Sequence, residues 1–297
     1  MRVATDSFYQ NILQGLLNSS SNLKKAEEKV STGKNFSRPS DDPVAMVSSL
    51  NFRTALSRVK QYQQNIQTGN LWLSSSETVI SQASDLADKA QQIAAQMASG
   101  TQTDAARTQA AEEVGQLIDQ AISLGNTQVA GKYIFAGYRT NTAPFSKTTV
   151  GGVETVTYNG DTNDFQIQVG TNEPLAVGKN GQTVFVDSNL FSALENLKQA
   201  ITNNDLPAIQ QQATILQGTE DSLQTQLAEV GITQNRLTDK QNLLAQWSNN
   251  IQDQISNLEN VDYNQAIMEL QQKQTAYQIA LESAAKISQI NWLNFLG

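Results

Sequence analysis

Two apolar seams, one at each end of the chain, constrain the fold more than anything else in the sequence. Near the start, Tyr9, Ile12, Leu16, Ser19, Leu23, Ala26 and Val30 recur at alternating steps of three and four, and near the end Ile267, Leu270, Gln274, Tyr277, Leu281, Ala284 and Ser288 do the same. This spacing draws an apolar stripe along one side of an α-helix, and the stripe is buried only when another helix lies on it. Ordering a segment of about 25 residues costs about 1–2 kcal/mol of backbone entropy per residue. Each seam side chain returns roughly 1.5–3 kcal/mol, and only when fully buried. An isolated terminal helix is therefore marginal. The two ends are expected to become ordered by pairing with each other and with neighbouring subunits, which makes the chain a building block.

Between the seams the pattern stays helical, with one interruption. The first helix is expected over about Thr5 to Ser31, stopping at Gly33, where a missing Cβ permits the left-handed cap conformation. A loop follows, in which Ser40, Asp41, Asp42 and Pro43 form a structural turn: Asp42 can cap free amides while Pro43 occupies the first helical position. Ala55, Val59, Tyr62, Ile66, Gly69, Leu73, Ser76, Ile80, Ala83, Ala87, Ala90, Ala94 and Met97 then keep the three/four spacing, which implies one long helix or two in line. Asp104 is expected to cap another helix, with its stripe at Ala110, Val114, Leu117, Ala121 and Leu124. Past Gly125 the period changes to two at Phe165, Ile167 and Val169, and Asn180–Gly181 is expected to join LAV to TVFV as a tight hairpin turn. Helices resume near Ser188. Leu223, Val230, Leu237, Leu244, Ile251 and Leu258 are each seven apart, with companions Leu227, Gln234, Gln241, Ser248 and Ile255; a seam with polar members fixes register at some cost in stability. Asp262 and Gln265 form a capping pair for the last helix.

The expected fold class is mainly α: a long-helix bundle with coiled-coil terminal arms and a small β-rich inserted domain. The corresponding divisions are an N-terminal coiled-coil arm and loop (1–42), the first half of the bundle (43–131), the β-rich insertion (132–187), the second half of the bundle (188–261) and a C-terminal coiled-coil arm (262–297).

Composition closes off most chemistry. The 297 residues include no Cys and no His, so disulfides, thiolate nucleophiles, imidazole bases and zinc fingers are unavailable. Charged residues are 16%, below the roughly 25% typical of soluble domains, and amides fill the polar positions. A net charge of −8 argues against nucleic-acid or anionic-membrane binding. The basic group Lys24, Lys25, Lys29, Lys34 and Arg38 reads as a solvated helix face. No stretch approaches the roughly 18 apolar residues of a membrane span, and MRVATDSFYQ lacks the apolar run of a cleavable secretory signal.

Three apparent motifs fail on their chemistry. GNTQVAGKY (Gly125 to Tyr133) is not a phosphate loop, because its glycines are one residue too far apart and a helix precedes it where a strand is required. DTND (Asp161 to Asp164) lacks the glycine and closing glutamate of a calcium loop. Neither Asp41 with Asp42 nor Glu112 with Glu113 converges on one bond, since neighbours on a helix diverge by about 100°. No catalytic residue, cofactor or metal is expected. A glycosidase free of His and Cys, with helical anchors, would need two acidic groups facing across a cleft; Glu154, Asp161, Asp164 and Glu173 are the residues to check.

Four segments carry a family resemblance. STGKNFSRPSDDPVA (Ser31 to Ala45) resembles the signature after the first helix of bacterial flagellins, and VGITQNRL (Val230 to Leu237) is similar to their C-terminal Gly-x-x-Gln-Asn-Arg segment. YIFAGYRTNTAPF (Tyr133 to Phe145), the SDDP variant and DYNQAIMELQQKQTAYQIAL (Asp262 to Leu281) are closest to the hook–filament junction branch of that family. The stretch LADKAQQ (Leu86 to Gln92) lacks the arginine-rich flagellin pattern, so recognition by innate immune receptors is not expected.

The resemblance implies a structural protein exported unfolded through the flagellar type III channel. It implies a dedicated export chaperone, a ring of like subunits, another hook-associated protein on the hook side and flagellin on the filament side. By that reading Tyr9, Ile12, Leu16, Leu23, Ala26 and Val30 pair with Ile267, Leu270, Tyr277, Leu281 and Ala284. Trp292, Leu293, Phe295 and Leu296 form a chaperone or core contact. A short flagellin that builds the filament itself is the alternative.

Overall fold

The heptad and stripe periods become six α-helices in a computed structural model that describes the backbone of residues 2–150 and 153–296, with side chains over 10–148 and 154–286. Helix α1 spans Arg2–Thr32, α2 Pro43–Met97, α3 Asp104–Gly125, α4 Leu190–Thr202, α5 Leu206–Glu259 and α6 Tyr263–Leu296. Between α3 and α4 lie three antiparallel strand pairs: β1 (Gln128–Val129) with β2 (Lys132–Tyr133), β3 (Phe145–Val150) with β4 (Val153–Tyr158), and β5 (Gln166–Gly170) with β6 (Glu173–Ala176). The fold is mainly α with a small β-containing insertion. The chain divides into two compact units, one of Met1–Arg58 with Trp247–Gly297 and one of Val59–Gln246.

In the second unit, α2 and α5 run antiparallel: Glu77 accepts from the Gln234 amide at 2.8 Å, and Ser84 from Gln224 at 3.3 Å. The stripe on α2 is buried at Val59, Ile66, Leu73, Ile80, Ala83, Ala87, Ala90, Ala94 and Met97. A second row seven apart, Trp72, Val79, Leu86 and Ile93, is buried too. The helix is thus covered on a wider arc than a single coiled-coil seam allows. Gly69 belongs to this face because a Cβ there would lie 2.7 Å from Ile167 Cδ1 of β5. On α5 the buried heptads begin earlier than the sequence suggested, at Ile209 and Leu216, and continue through Leu223, Val230, Leu237 and Leu244. Ser248 is buried four residues on from Leu244, as the sequence pointed, whereas Gln212, Thr219 and Gln226 are buried three on from Ile209, Leu216 and Leu223. The latter face this way because Thr219 Oγ1 donates to the Ser188 carbonyl at 2.8 Å and Gln226 Nε2 to the Thr183 carbonyl at 3.0 Å.

The insertion is anchored by an aromatic cluster. Phe145 packs against Tyr158, Phe185 and Phe191 at centroid distances of 5.2, 5.3 and 5.0 Å, and Phe135 meets Phe185 edge-on at 5.1 Å. The expected hairpin at Asn180–Gly181 does not form. Residues Gln182–Val186 make one π-helical turn, and Asn180, 4% exposed, caps it by accepting from the Thr183 amide at 2.9 Å. The turn buries the adjacent pair Val184 and Phe185 on one side, which an alternating strand cannot do. The cap of α3 also differs from expectation. Thr103 Oγ1 accepts from the Ala106 amide at 3.2 Å, while Asp104 is held by Arg107 at 2.7 Å. The glycine-containing string after α3 is a hairpin whose turn residues Ala130 and Gly131 have φ of 50° and 75°, a strand–turn–strand with no phosphate cradle.

Candidate assembly surface

In the first unit α1 packs along α6. On α1 the sheltered row is Ile12, Leu16, Ser19, Leu23, Ala26 and Val30, of which Ala26 is fully buried. On α6 it is Ala266, Leu270, Lys273, Tyr277, Ala280 and Ala284. Ile12, Leu16, Leu23, Ala26, Val30, Leu270, Tyr277 and Ala284 thus lie on the covered sides of two adjoining helices. Ile267 and Leu281 do not: they are 44% and 41% exposed. The side chains of Tyr9 and of Trp292, Leu293, Phe295 and Leu296 lie outside the described residues.

The loop after α1 is bound to the turn between α5 and α6. Gly33, at φ of 68°, ends α1 with Tyr263 against its Cα, and its carbonyl accepts from the Val261 amide at 2.9 Å. Asn35 donates its backbone amide to the Glu259 carbonyl at 2.7 Å and its side-chain amide to the Asn260 carbonyl at 2.8 Å. Asp41 accepts from the Ser37 and Arg38 amides at 3.3 and 3.0 Å, and these bonds hold its carboxyl below the ordinary value. Asp42 caps α2 by accepting from Val44 and Ala45 at 3.1 and 2.9 Å, with Pro43 as first helical residue and Ser40 exposed in the turn.

Glu259 organises this region, and the sequence reading passed over it. Arg53 grips its carboxylate with two nitrogens, Nε at 2.9 Å and Nη2 at 2.7 Å; Lys34 lies at 3.5 Å and the Ser49 hydroxyl donates to it as well. The Arg53 hydrogen bonds bring its pKa down to about 2, assisted by Ser49 and opposed by burial. A signal for it existed: Glu259 is the last residue of α5, where the helix dipole disfavours an anion, so its presence there calls for a cation partner. The basic group is solvated as expected, with Lys24 and Lys25 exposed and Arg38 68% exposed, but three of its members have acidic partners. Lys29 pairs with Glu269 at 3.3 Å, Lys34 with Glu259, and Arg38 with Glu28 at 3.9 Å.

Apolar side chains remain on the outer faces of this unit. Val44, Val47 and Leu50, three apart at the start of α2, are 77%, 59% and 55% exposed. Leu13 and Leu17 on α1, and Met268 and Ile279 on α6, also face outward. The surface therefore combines exposed apolar ribs with a clasp of hydrogen bonds and ion pairs. The acidic residues of the insertion are committed elsewhere. Glu154 binds Lys147 and Lys198 at 3.1 and 2.9 Å, and Glu173 binds Lys240 at 2.5 Å. Asp161 accepts from the Tyr138 and Asn163 amides, and Asp164 from Asn180. Among the described residues no group of His, Cys, Asp or Glu is placed to hold a metal ion, and no helix is long and apolar enough to cross a membrane.

Comparison with known proteins places these features in context. The family model for the bacterial flagellin N-terminal helical region matches residues 3–140, and that for the C-terminal helical region matches 213–296. Flagellar hook-associated protein 3 of Escherichia coli is 28% identical over 309 aligned positions, spanning 95% of this chain and 96% of its own length. A flagellar filament 30.7 kDa core protein of Treponema maltophilum is also 28% identical, over 49% of each chain. Among solved structures, a flagellar hook-associated protein from Vibrio parahaemolyticus superposes with a TM-score of 0.66 at 22% identity, covering 74% of this chain and all of that one. With matched helical regions at both ends, where the seams and the clasp lie, the chain belongs to the bacterial flagellin family.

Proposed function

We propose that this chain is a structural subunit of the bacterial flagellum that forms the junction layer between hook and filament. It polymerises into a ring through the paired helices α1 and α6. The observation that carries this reading is the end-to-end likeness to a hook-associated protein 3, which takes in the insertion as well as the termini, whereas the filament-type relative aligns over half the chain. The outward ribs Val44–Val47–Leu50, Leu13–Leu17 and Ile267–Leu281 support it, being apolar surface that a single chain leaves wet. On this reading the subunit is exported unfolded through the type III channel, escorted by a chaperone that holds the C-terminal segment with Trp292, Leu293, Phe295 and Leu296. Outside the cell it meets another hook-associated protein on one side and flagellin on the other. It acts without enzymatic chemistry, nucleic acid or membrane.

The second reading, a short flagellin, draws on the filament-core relative. Seeding separates the two: a flagellin extends seeds into long filaments, whereas a junction protein adds a limited layer and stops. Cells lacking the gene test the proposal in place. Hooks without filaments, with flagellin lost to the medium, are expected; normal filaments would refute it.

A further inference from the structure

The sequence contains two Asn-Gly pairs, Asn159–Gly160 and Asn180–Gly181. This dipeptide is the one most prone to spontaneous loss of the asparagine amide, because glycine sets no Cβ beside the attacking nitrogen. The fold treats the two pairs oppositely. Asn180 is buried; its Nδ2 donates to the Thr162 carbonyl at 3.0 Å and to Asp164 at 2.9 Å, and its Oδ1 accepts from Thr183. The would-be nucleophile, the Gly181 amide, is committed to the Phe135 carbonyl at 2.7 Å. Asn159 is exposed at the end of β4, and its side chain makes one bond, from Nδ2 to Ser146 Oγ at 2.9 Å. Among the described residues the Gly160 amide has no hydrogen-bond acceptor.

We propose that Asn159 is a site of spontaneous covalent modification, converted by water to aspartate and isoaspartate, while Asn180 is protected by its packing. The Gly160 nitrogen gives up its proton to solvent and attacks Asn159 Cγ. The N–Cγ bond forms, the Cγ–Nδ2 bond breaks, and Nδ2 leaves with a solvent proton as ammonia. The resulting cyclic imide is opened by water. Attack at Cγ gives aspartate, and attack at the main-chain carbonyl gives isoaspartate, whose backbone runs through Cγ. One water enters, one ammonia departs, and nothing is oxidised or reduced. The product introduces a negative charge two residues from Asp161, which already holds the Tyr138 amide at 2.8 Å. The isoaspartyl form also lengthens the backbone beside the bond from the Asn159 amide to the Pro144 carbonyl, which closes that end of the β3–β4 hairpin.

The full chain can report this directly, because cleavage after Lys147 and Lys179 puts Asn159 and Asn180 on adjacent tryptic peptides, 148–179 and 180–198. The protein is held at mildly alkaline pH, with and without concentrated urea, and the amide-to-acid mass gain is followed at each asparagine by fragment ions. In the native chain Asn159 is expected to convert more than about tenfold faster than Asn180, whose reaction must wait for local opening. In urea the two rates should fall within a few-fold of each other. A native ratio no larger than the urea ratio would overturn the proposal. So would mass gain in peptide 148–179 that persists in Asn159→Gln, because the source would then be Asn163 or Asn172.

Discussion

The Val59–Gln246 unit and the unit formed by the two chain ends solve the same problem, burying a helical stripe, to different degrees. The first surrounds its helices on several sides and fills the remaining space with aromatic rings; Phe135, Phe145 and Phe185 are essentially inaccessible. The second pairs α1 with α6, clasps their inner ends through Glu259, and leaves Val44, Val47, Leu50, Leu13 and Leu17 in water. The contrast teaches that helix length says little about self-sufficiency: what counts is how many sides of the helix find partners. The first unit also leaves Leu71 and Ile232 exposed, but the second, the smaller of the two, exposes more of its large apolar side chains.

That contrast can be broken most forcefully at the aromatic cluster. Phe145→Ala should destabilise the Val59–Gln246 unit by about 3–5 kcal/mol, read as a lower denaturation midpoint from Trp72, which stacks on Phe165 at 4.5 Å. An unchanged midpoint would mean that the cluster is not what completes this unit. Next in size is the clasp. Glu259→Ala should cost the end unit about 2 kcal/mol by leaving the buried Ser49 hydroxyl without its acceptor and releasing Arg53, detected as faster proteolysis after Lys34 with the central unit intact.

The same contact has a definite pH dependence. Its carboxyl titrates at about 2 when folded against an ordinary 4.5. Its stabilisation is therefore fully present above about 4.5, declines as pH falls, and is lost below about 2. Glu259→Gln, which lacks the charge, should weaken the end unit at neutral pH and lose less further stability than the parent between pH 4.5 and 2. Smaller still, Asp42→Ala should cost about 1 kcal/mol by removing the cap of α2, visible as faster amide exchange at Val44 and Ala45.

Smallest for the single chain, and most telling for assembly, is Leu281→Asp. Because Leu281 is substantially exposed, monomer stability should change by less than about 0.5 kcal/mol, yet a charge on a rib that neighbours must cover should abolish polymerisation. Polymers that form normally would remove Leu281 from the surface. Leu16→Asp, on the covered side of α1, should disturb the α1–α6 pair as well as assembly.

Local periodicity made the helices readable. The heptads from Leu223 to Leu258 and the stripe from Val59 to Met97 need only a residue count, and Asp42 before Pro43 marks a helix start with two adjacent letters. What escaped depends on partners distant in the chain. Asn180–Gly181 has the letters of a hairpin, but Thr162 and Asp164 draw the asparagine inward and the following residues coil. Trp72, Val79, Leu86 and Ile93 form a row that becomes core only because a second layer covers α2. Glu259 reads as one acid among many until Arg53 and Ser49, more than two hundred positions earlier, close on it. Val44, Val47 and Leu50 were legible by spacing but fell outside the stripe counted from Ala55.

The repeat along α5 has one last implication. Because Ile209, Leu216, Leu223, Val230, Leu237 and Leu244 recur every seventh residue, sliding the helix by one repeat, about 10 Å, would offer its neighbours almost the same greasy profile. Thr219 on Ser188 and Gln226 on Thr183 are the index marks that tell one notch of this ruler from the next. Stripping both marks should leave a helix that still adheres but no longer knows its place.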